Sequence, residues 1–176
     1  MVIYKQADSL KELEQILELQ QRNLPKTISE DESAKEGFVT VEHTLNLLKS
    51  MNDVCGHIIA VDDGQVVGYA LCMHPQFAND IEVLRPMFQE IDKTIKGQVN
   101  YMAMGQICVA KSHRGQGVFR KLYQTMQEKL PEGFDTIITE VDGKNKRSLA
   151  AHTAIGFQEL KRYYALDKEW VIIILQ

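Results

Sequence analysis

The sequence is poor in cysteine: Cys55, Cys72 and Cys108 are the only three in 176 residues, widely spaced and without a CxxC pair. That excludes a disulfide framework or a cysteine zinc site, and it fits a reducing compartment in which thiols act as small buried hydrophobes. Positive charge is not in excess either. Twenty Lys and Arg stand against 24 Asp and Glu, a net charge of −4, so no nucleic-acid partner is expected, since such binding relies on a basic footprint. Long apolar runs are missing. The longest aliphatic one, Val171 to Leu175, falls far short of the ~20 residues that span a bilayer. Met1-Val2-Ile3-Tyr4-Lys5-Gln6 has neither the basic stretch nor the apolar core of a secretory signal, so no membrane partner and a cytoplasmic location are expected. No repeat, low-complexity tract or Gly/Ser linker breaks the chain, and residues 1–176 read as one domain. What remains is ordinary globular composition, 44% apolar and 25% charged. A chain of this size buries roughly two thirds of its unfolded surface and needs no metal.

Periodicity sets out the elements. Val2 to Gln6 suits a short strand. Asp8 or Ser9 caps a helix with Leu10, Leu13, Ile16, Leu17 and Leu24 on its apolar side, stopped by Pro25. The acidic stretch Glu30-Asp31-Glu32 suits the start of a second helical region carrying Val41, Thr44, Leu45, Leu48 and Met51 on one face. His57 to Val61 and Val66 to Met73 are strands joined by the turn Asp62-Asp63-Gly64-Gln65. Pro75 to Gly97 is an insertion with helical spacing, and Tyr101 to Ala110 a strand. Arg120 to Leu130 is a helix, Asp135 to Val141 a strand and Arg147 to Ile155 a helix ended by Gly156. Phe157 to Leu166 and Trp170 to Leu175 close the chain as strands. This order indicates an α/β (α+β) fold, a mixed sheet of about seven strands with helices on both faces.

Two stretches carry chemistry. In Val109-Ala110-Lys111-Ser112-His113-Arg114-Gly115-Gln116-Gly117-Val118-Phe119-Arg120, a strand runs through two glycines straight into a helix. Glycines let backbone N–H groups converge, and the helix N-terminus adds partial positive charge, so the loop suits a pyrophosphate with Arg114 as charge partner. It is neither a Walker loop nor a dinucleotide fingerprint, because the Gly-Lys-Ser/Thr and GxGxxG spacings are absent. Some thirty residues on, Asn145 precedes a helix that carries His152 and ends in Gly156-Phe157. Asn145 is by residue type an N-cap.

With both stretches in this order, the chain resembles the GNAT N-acetyltransferase superfamily from about residue 57 to 165, while the first 50 residues match only in arrangement. In that family an R/Q-x-x-G-x-G/A loop holds the pyrophosphate of acetyl-CoA through backbone amides. Arg114 stands first in this loop and Gly117 at its central glycine. Phe119 stands where the family has Gly or Ala, so its side chain must point away from the phosphates and only its backbone is a contact. The resemblance implies acetyl-CoA as cosubstrate and no metal. It implies a binding loop of Arg114, Gly115, Gln116, Gly117, Val118 and Phe119. It also implies Asn145 on the pantetheine arm and a backbone N–H of Ile107, Cys108 or Val109 polarising the thioester carbonyl. His152 takes the place of the tyrosine that protonates the leaving thiolate, and is the catalytic residue so implied.

The base is less legible. Many relatives carry a carboxylate on the strand before the loop, but here that strand reads Met104-Gly105-Gln106. Glu140, His74 and His113 are the candidates, beside an amine already neutral in solution. Cys108 has no nucleophile signature and reads as a core thiol, which removes a ping-pong route. The insertion Pro75 to Gly97 is a candidate acceptor wall. The expected activity is acetyl transfer to a primary amine of a small molecule. A non-catalytic acyl-CoA sensor and a protein or peptide N-acetyltransferase stand as alternatives. The strand edge at Trp170 to Leu175 suggests a homodimer.

Overall fold

The computed structural model describes residues 1–24, 39 and 41–176. The expected acidic helix start at Glu30-Asp31-Glu32, and Pro25, lie outside the described residues. Among these residues the seven strands are β1 (Ile3–Gln6), β2 (Ile58–Asp62), β3 (Gln65–Met73), β4 (Tyr101–Val109), β5 (Thr136–Asp142), β6 (Gln158–Ala165) and β7 (Lys168–Leu175). They form one mixed sheet in the order β1-β2-β3-β4-β5-β7-β6, in which only β4 and β5 run parallel. Among the described residues five helices cover it: α1 (Leu10–Gln21), α2 (Leu45–Val54), α3 (Arg85–Ile95), α4 (Val118–Glu128) and α5 (Lys146–Thr153). The expected fold class holds.

Local chemistry places these elements. Ser9 Oγ accepts from Glu12 N–H at 3.3 Å at the start of α1, while Glu12 reaches back to Asp8 N–H at 2.9 Å, a variant of the capping box. The helix ends at Gln21, short of the expected Leu24, because Asn23 Nδ2 donates to Leu19 O at 2.8 Å and turns the chain. Both Asp63 and Gly64 have positive φ, 47° and 75°, so the β2–β3 turn is of the primed hairpin kind. Leu13, Ile16 and Leu19 of α1, with Leu48 of α2, bury against Ile59, Tyr69 and Leu71 on one sheet face. Met87, Phe88 and Ile91 of α3, in the expected insertion, extend that layer over Ile138 and Ile172. Leu122, Tyr123 and Met126 of α4 fill the opposite face against Ala60, Ala70 and Met102.

The C-terminal strand differs from expectation. β7 pairs with β5 on one side and β6 on the other, so Val171 to Leu175 is interior and offers no free edge. Five aliphatic residues in succession suit a strand covered on both faces. The outer strand is β6, where Arg162 bonds both Glu159 and Glu169 and charged side chains guard the edge.

The sheet opens in its middle. Leu71 of β3 faces two residues of β4, Gly105 and Gln106, because the register passes from Ala70↔Ile107 to Cys72↔Met104. This bulge turns β4 aside. Pairing with β5 is confined to Tyr101–Ala103 against Thr136–Ile138, and Thr139 Oγ1 donates to Met104 O at 2.8 Å where the strands part.

Helix α4 lies unusually close to β3. A Cβ on Gly68 would stand 3.2 Å from Val118 Cγ1, 3.3 Å from Leu122 Cδ1 and 3.4 Å from Cys108 O. Gly68→Val is therefore expected to lower stability by about 1–3 kcal/mol through overpacking, read as a reduced urea midpoint. An unchanged midpoint would contradict this packing.

Candidate active site

Where β4 and β5 diverge, two clefts meet. The larger, of about 380 Å³, lies between the end of β4, the start of α4 and helix α5. The smaller, of about 80 Å³, lies between the parted strands and includes Gln106, Thr139, Glu140, Asp142 and Trp170 in its wall. Val39, Ile107, Asn145 and Ser148 belong to both walls and mark the junction.

The floor of the large cleft is the glycine loop. Gly115 and Gly117 have φ of +72° and +82°, and nothing stands within 4 Å of a Cβ built on either, so the loop leaves open space. Gly117 is the N-cap of α4, and no side chain caps this helix. The first intrahelical bond runs from Lys121 N–H to Gly117 O at 3.0 Å, leaving the N–H groups of Val118, Phe119 and Arg120 ahead of it at the helix end. Glycines with room above them and an uncapped helix N-terminus form a cradle for an anionic group.

Most of the expected binding residues line this cleft: Ile107, Cys108, Val109, Arg114, Gly115, Gly117, Val118, Phe119 and Asn145. Gln116 does not; its exposed side chain folds back to donate to Ser112 O at 2.8 Å. The Arg114 guanidinium bonds Val109 O at 3.0 Å and Asn23 Oδ1 at 2.8 Å, tying the loop to β4 and to the end of α1. The Phe119 ring packs edge-on against Tyr123 and His152, at centroid separations of 5.3 and 5.0 Å. Asn145 caps α5, its Oδ1 accepting from Ser148 N–H at 3.0 Å. Burial pushes the Cys108 thiol up to about 12, so it stays protonated.

His152 belongs to the wall of the smaller cleft yet is only 2% exposed. Its Nδ1 lies 2.7 Å from Ser148 O and its Nε2 2.7 Å from Tyr123 Oη. A carbonyl can only accept, so Nδ1 carries the proton and Nε2 accepts the tyrosine's. Burial lowers the ring's pKa to about 4, which makes it neutral at ordinary pH.

Of the three candidate bases, Glu140 alone lines the small cleft. Burial raises its pKa to about 7, and the Tyr163 hydroxyl donates to its Oε2, which opposes that rise. His113 lies in the large cleft, with Nε2 3.2 Å from Asp62 Oδ2. His74 caps a short turn, accepting from Gln76 N–H at 3.1 Å, and belongs to neither wall.

Several contributors were not singled out from the sequence. Gln106, in the bulge, accepts at Oε1 from Gln20 Nε2 at 2.8 Å and from Tyr69 Oη at 2.6 Å, and donates to Val41 O at 2.8 Å. It fastens α1, β3 and the approach to α2 onto the parted strand. Tyr163 and Trp170 reach the site through the register of β6, β7 and β5, which pairs Trp170 with Asp142. Ser148 carried one signal, its place four residues before His152 on the same helix face. Among the described residues no cluster of His, Cys, Asp and Glu is placed to hold a metal ion, and no helix is long and apolar enough to cross a membrane.

The parted sheet thus sets an anion cradle at one lip and the half-buried Glu140 carboxylate across the gap. The acetyltransferase (GNAT) family model matches residues 13–157, and the chain belongs to that family. Its fold is similar to the ribosomal-protein-S18-alanine N-acetyltransferase of Escherichia coli, with a TM-score of 0.65 and 15% identity over 99% of this chain and 93% of that one. It is likewise similar to yncA of Salmonella typhimurium, a putative acetyltransferase solved with acetyl-CoA, with a TM-score of 0.65 and 13% identity over 100% and 94% of the chains. A NatC complex bound to Gag peptide and CoA matches with a TM-score of 0.65 and 19% identity over 99% and 97%. No curated protein matches the chain by sequence.

Proposed function

We propose that this acetyltransferase moves the acetyl group of acetyl-CoA directly onto a primary amine of a small molecule. The observation that carries this reading is the meeting of the two clefts at Ile107, Asn145 and Ser148, with Glu140 in the wall of the smaller one. Bound acetyl-CoA supplies an activated thioester. The N–H groups of residues 115–119 hold its diphosphate, and an N–H of Ile107, Cys108 or Val109 polarises the carbonyl. Glu140 takes the amine's proton, its raised pKa matching the task near neutral pH. The small volume of the acceptor cleft, about 80 Å³ and mostly polar in lining, favours a compact cationic amine over a folded protein surface. Cytoplasmic work as a single domain goes with this reading.

Calorimetric titration with acetyl-CoA, followed by a free-thiol assay across small amines and N-terminal peptides, tests it. Binding with thiol release on small amines is the expected result. Release on peptides alone would make it a protein N-acetyltransferase. Binding without release would make it a sensor. No binding would leave only the fold.

A further inference from the structure

We infer that the Ser148 hydroxyl, rather than an imidazole nitrogen, meets the leaving sulfur of the acyl donor, with His152 acting through it as a positioning residue. The inference rests on the acetyl-transfer reading above and concerns its second half, the departure of the thiol.

Two observations carry it. Ser148 belongs to both cleft walls, beside Ile107 and Asn145, at the place where donor and acceptor meet. His152 lies one helical turn further on, and both of its nitrogens are already engaged by protein partners. Tyr123 donates to Nε2 at 2.7 Å, and the Nδ1 proton is shared between Ser148 O at 2.7 Å and Ser148 Oγ at 3.3 Å. The bonds therefore run in one direction, Tyr123 to His152 to Ser148. A serine hydroxyl holds two lone pairs and one proton. His152 Nδ1–H bonds chiefly to Ser148 O and meets Oγ only as a donor at 3.3 Å, so the Ser148 proton is left to be donated, and among the described residues Oγ has no bond besides that one. Hydrogen bonds in such a chain polarise one another, which strengthens the last donor. The rings of Phe119 and Phe157 stand edge-on to His152 at 5.0 and 5.1 Å and hold it in this orientation.

The step balances without a proton leaving the chain of three. The C–N bond forms as the C–S bond breaks, the amine's proton passes to Glu140, and the electron pair departs on sulfur. Ser148 O–H donates a hydrogen bond to that sulfur, and water later supplies the proton that completes the thiol. Tyr123 keeps its own proton, since its full burial pushes ionisation well above the usual phenol range.

The test reads the thiol and needs no turnover. Ultraviolet absorbance of the thiolate gives the pKa of CoA bound to the wild type and to Ser148→Ala. Alanine is a good helix former, so α5 is kept. The expected result is a bound-thiol pKa about one unit higher in Ser148→Ala, the loss of one hydrogen bond to an anion. Acetyl-CoA affinity should stay within about twofold, and Ser148→Thr should restore the wild-type value. The titratable and charged groups of the walls are identical in both proteins, with Cys108, His113, Arg114, Arg120 and Arg147 in the large cleft and Glu140, Asp142 and His152 in the small one. A shift therefore belongs to the hydroxyl. An equal thiol pKa in wild type and Ser148→Ala overturns the inference alone. A wild type that does not bind acetyl-CoA overturns the acetyl-transfer reading and this inference with it.

Discussion

Glu140→Gln is expected to lose about 100-fold or more in turnover while becoming more stable. Burial raises the Glu140 pKa from 4.5 to about 7. Between those pH values the folded chain keeps a proton that the unfolded chain has released. The group's contribution to stability therefore falls as pH rises from about 4.5 to about 7 and stays low above that. A neutral amide is free of that penalty. At pH 8 the variant should gain about 1–3 kcal/mol, or about 3–8 °C in melting temperature for a domain of this size. The pH profile gives a second readout. Wild-type kcat/KM should fall as pH drops through about 7, the Glu140 value; in Glu140→Gln that limb should vanish. Tyr163→Phe should move the limb upward, because the Tyr163 hydroxyl favours the ionised carboxylate. A fully active Glu140→Gln enzyme would mean that the amine arrives already neutral.

Gly117→Val should weaken acetyl-CoA binding by more than about 100-fold, the equivalent of losing more than about 2.7 kcal/mol. The φ of +82° at Gly117 suits glycine, and a β-branched residue there is strained by about 1–2 kcal/mol. No protein atom stands within 4 Å of the new Cβ, so the side chain enters only the open space of the cradle. Gly133 offers a matched control, since its φ is +85° and its surroundings are equally open, but it lies in the turn before β5. Gly133→Val should show a similar fall in melting temperature with unchanged binding. Equal binding by Gly117→Val and the wild type, read by calorimetry, would remove the loop from the site.

What was legible in the sequence was local. Periodicity gave the helices their buried faces, and the step from strand through Gly115 and Gly117 into α4 announced the cradle, because only the backbone has to be in place there. Asn145 announced itself as a cap for the same reason. The strand order was not legible: Val171 to Leu175 reads equally as an edge or an interior strand, and the pairing with both β5 and β6 decides it. Residues that matter through long-range register were equally hidden. Tyr163 reaches Glu140 only because β7 carries β6 alongside β5. Gln106 looks like one polar residue in an apolar strand until Gln20 and Tyr69 close on it. His152 shows the remaining limit. Which of its two nitrogens carries the proton depends on Tyr123, 29 residues away.

The extra residue that β4 carries opposite Leu71 has a wider meaning. Hydrogen-bond register changes only in whole residues, so no small breathing motion can close what the bulge has opened. An aperture made this way is already present before any ligand arrives and needs no induced rearrangement to form. The arriving molecule then gives up its own freedom but orders little of the protein, which is the thermodynamic meaning of preorganisation.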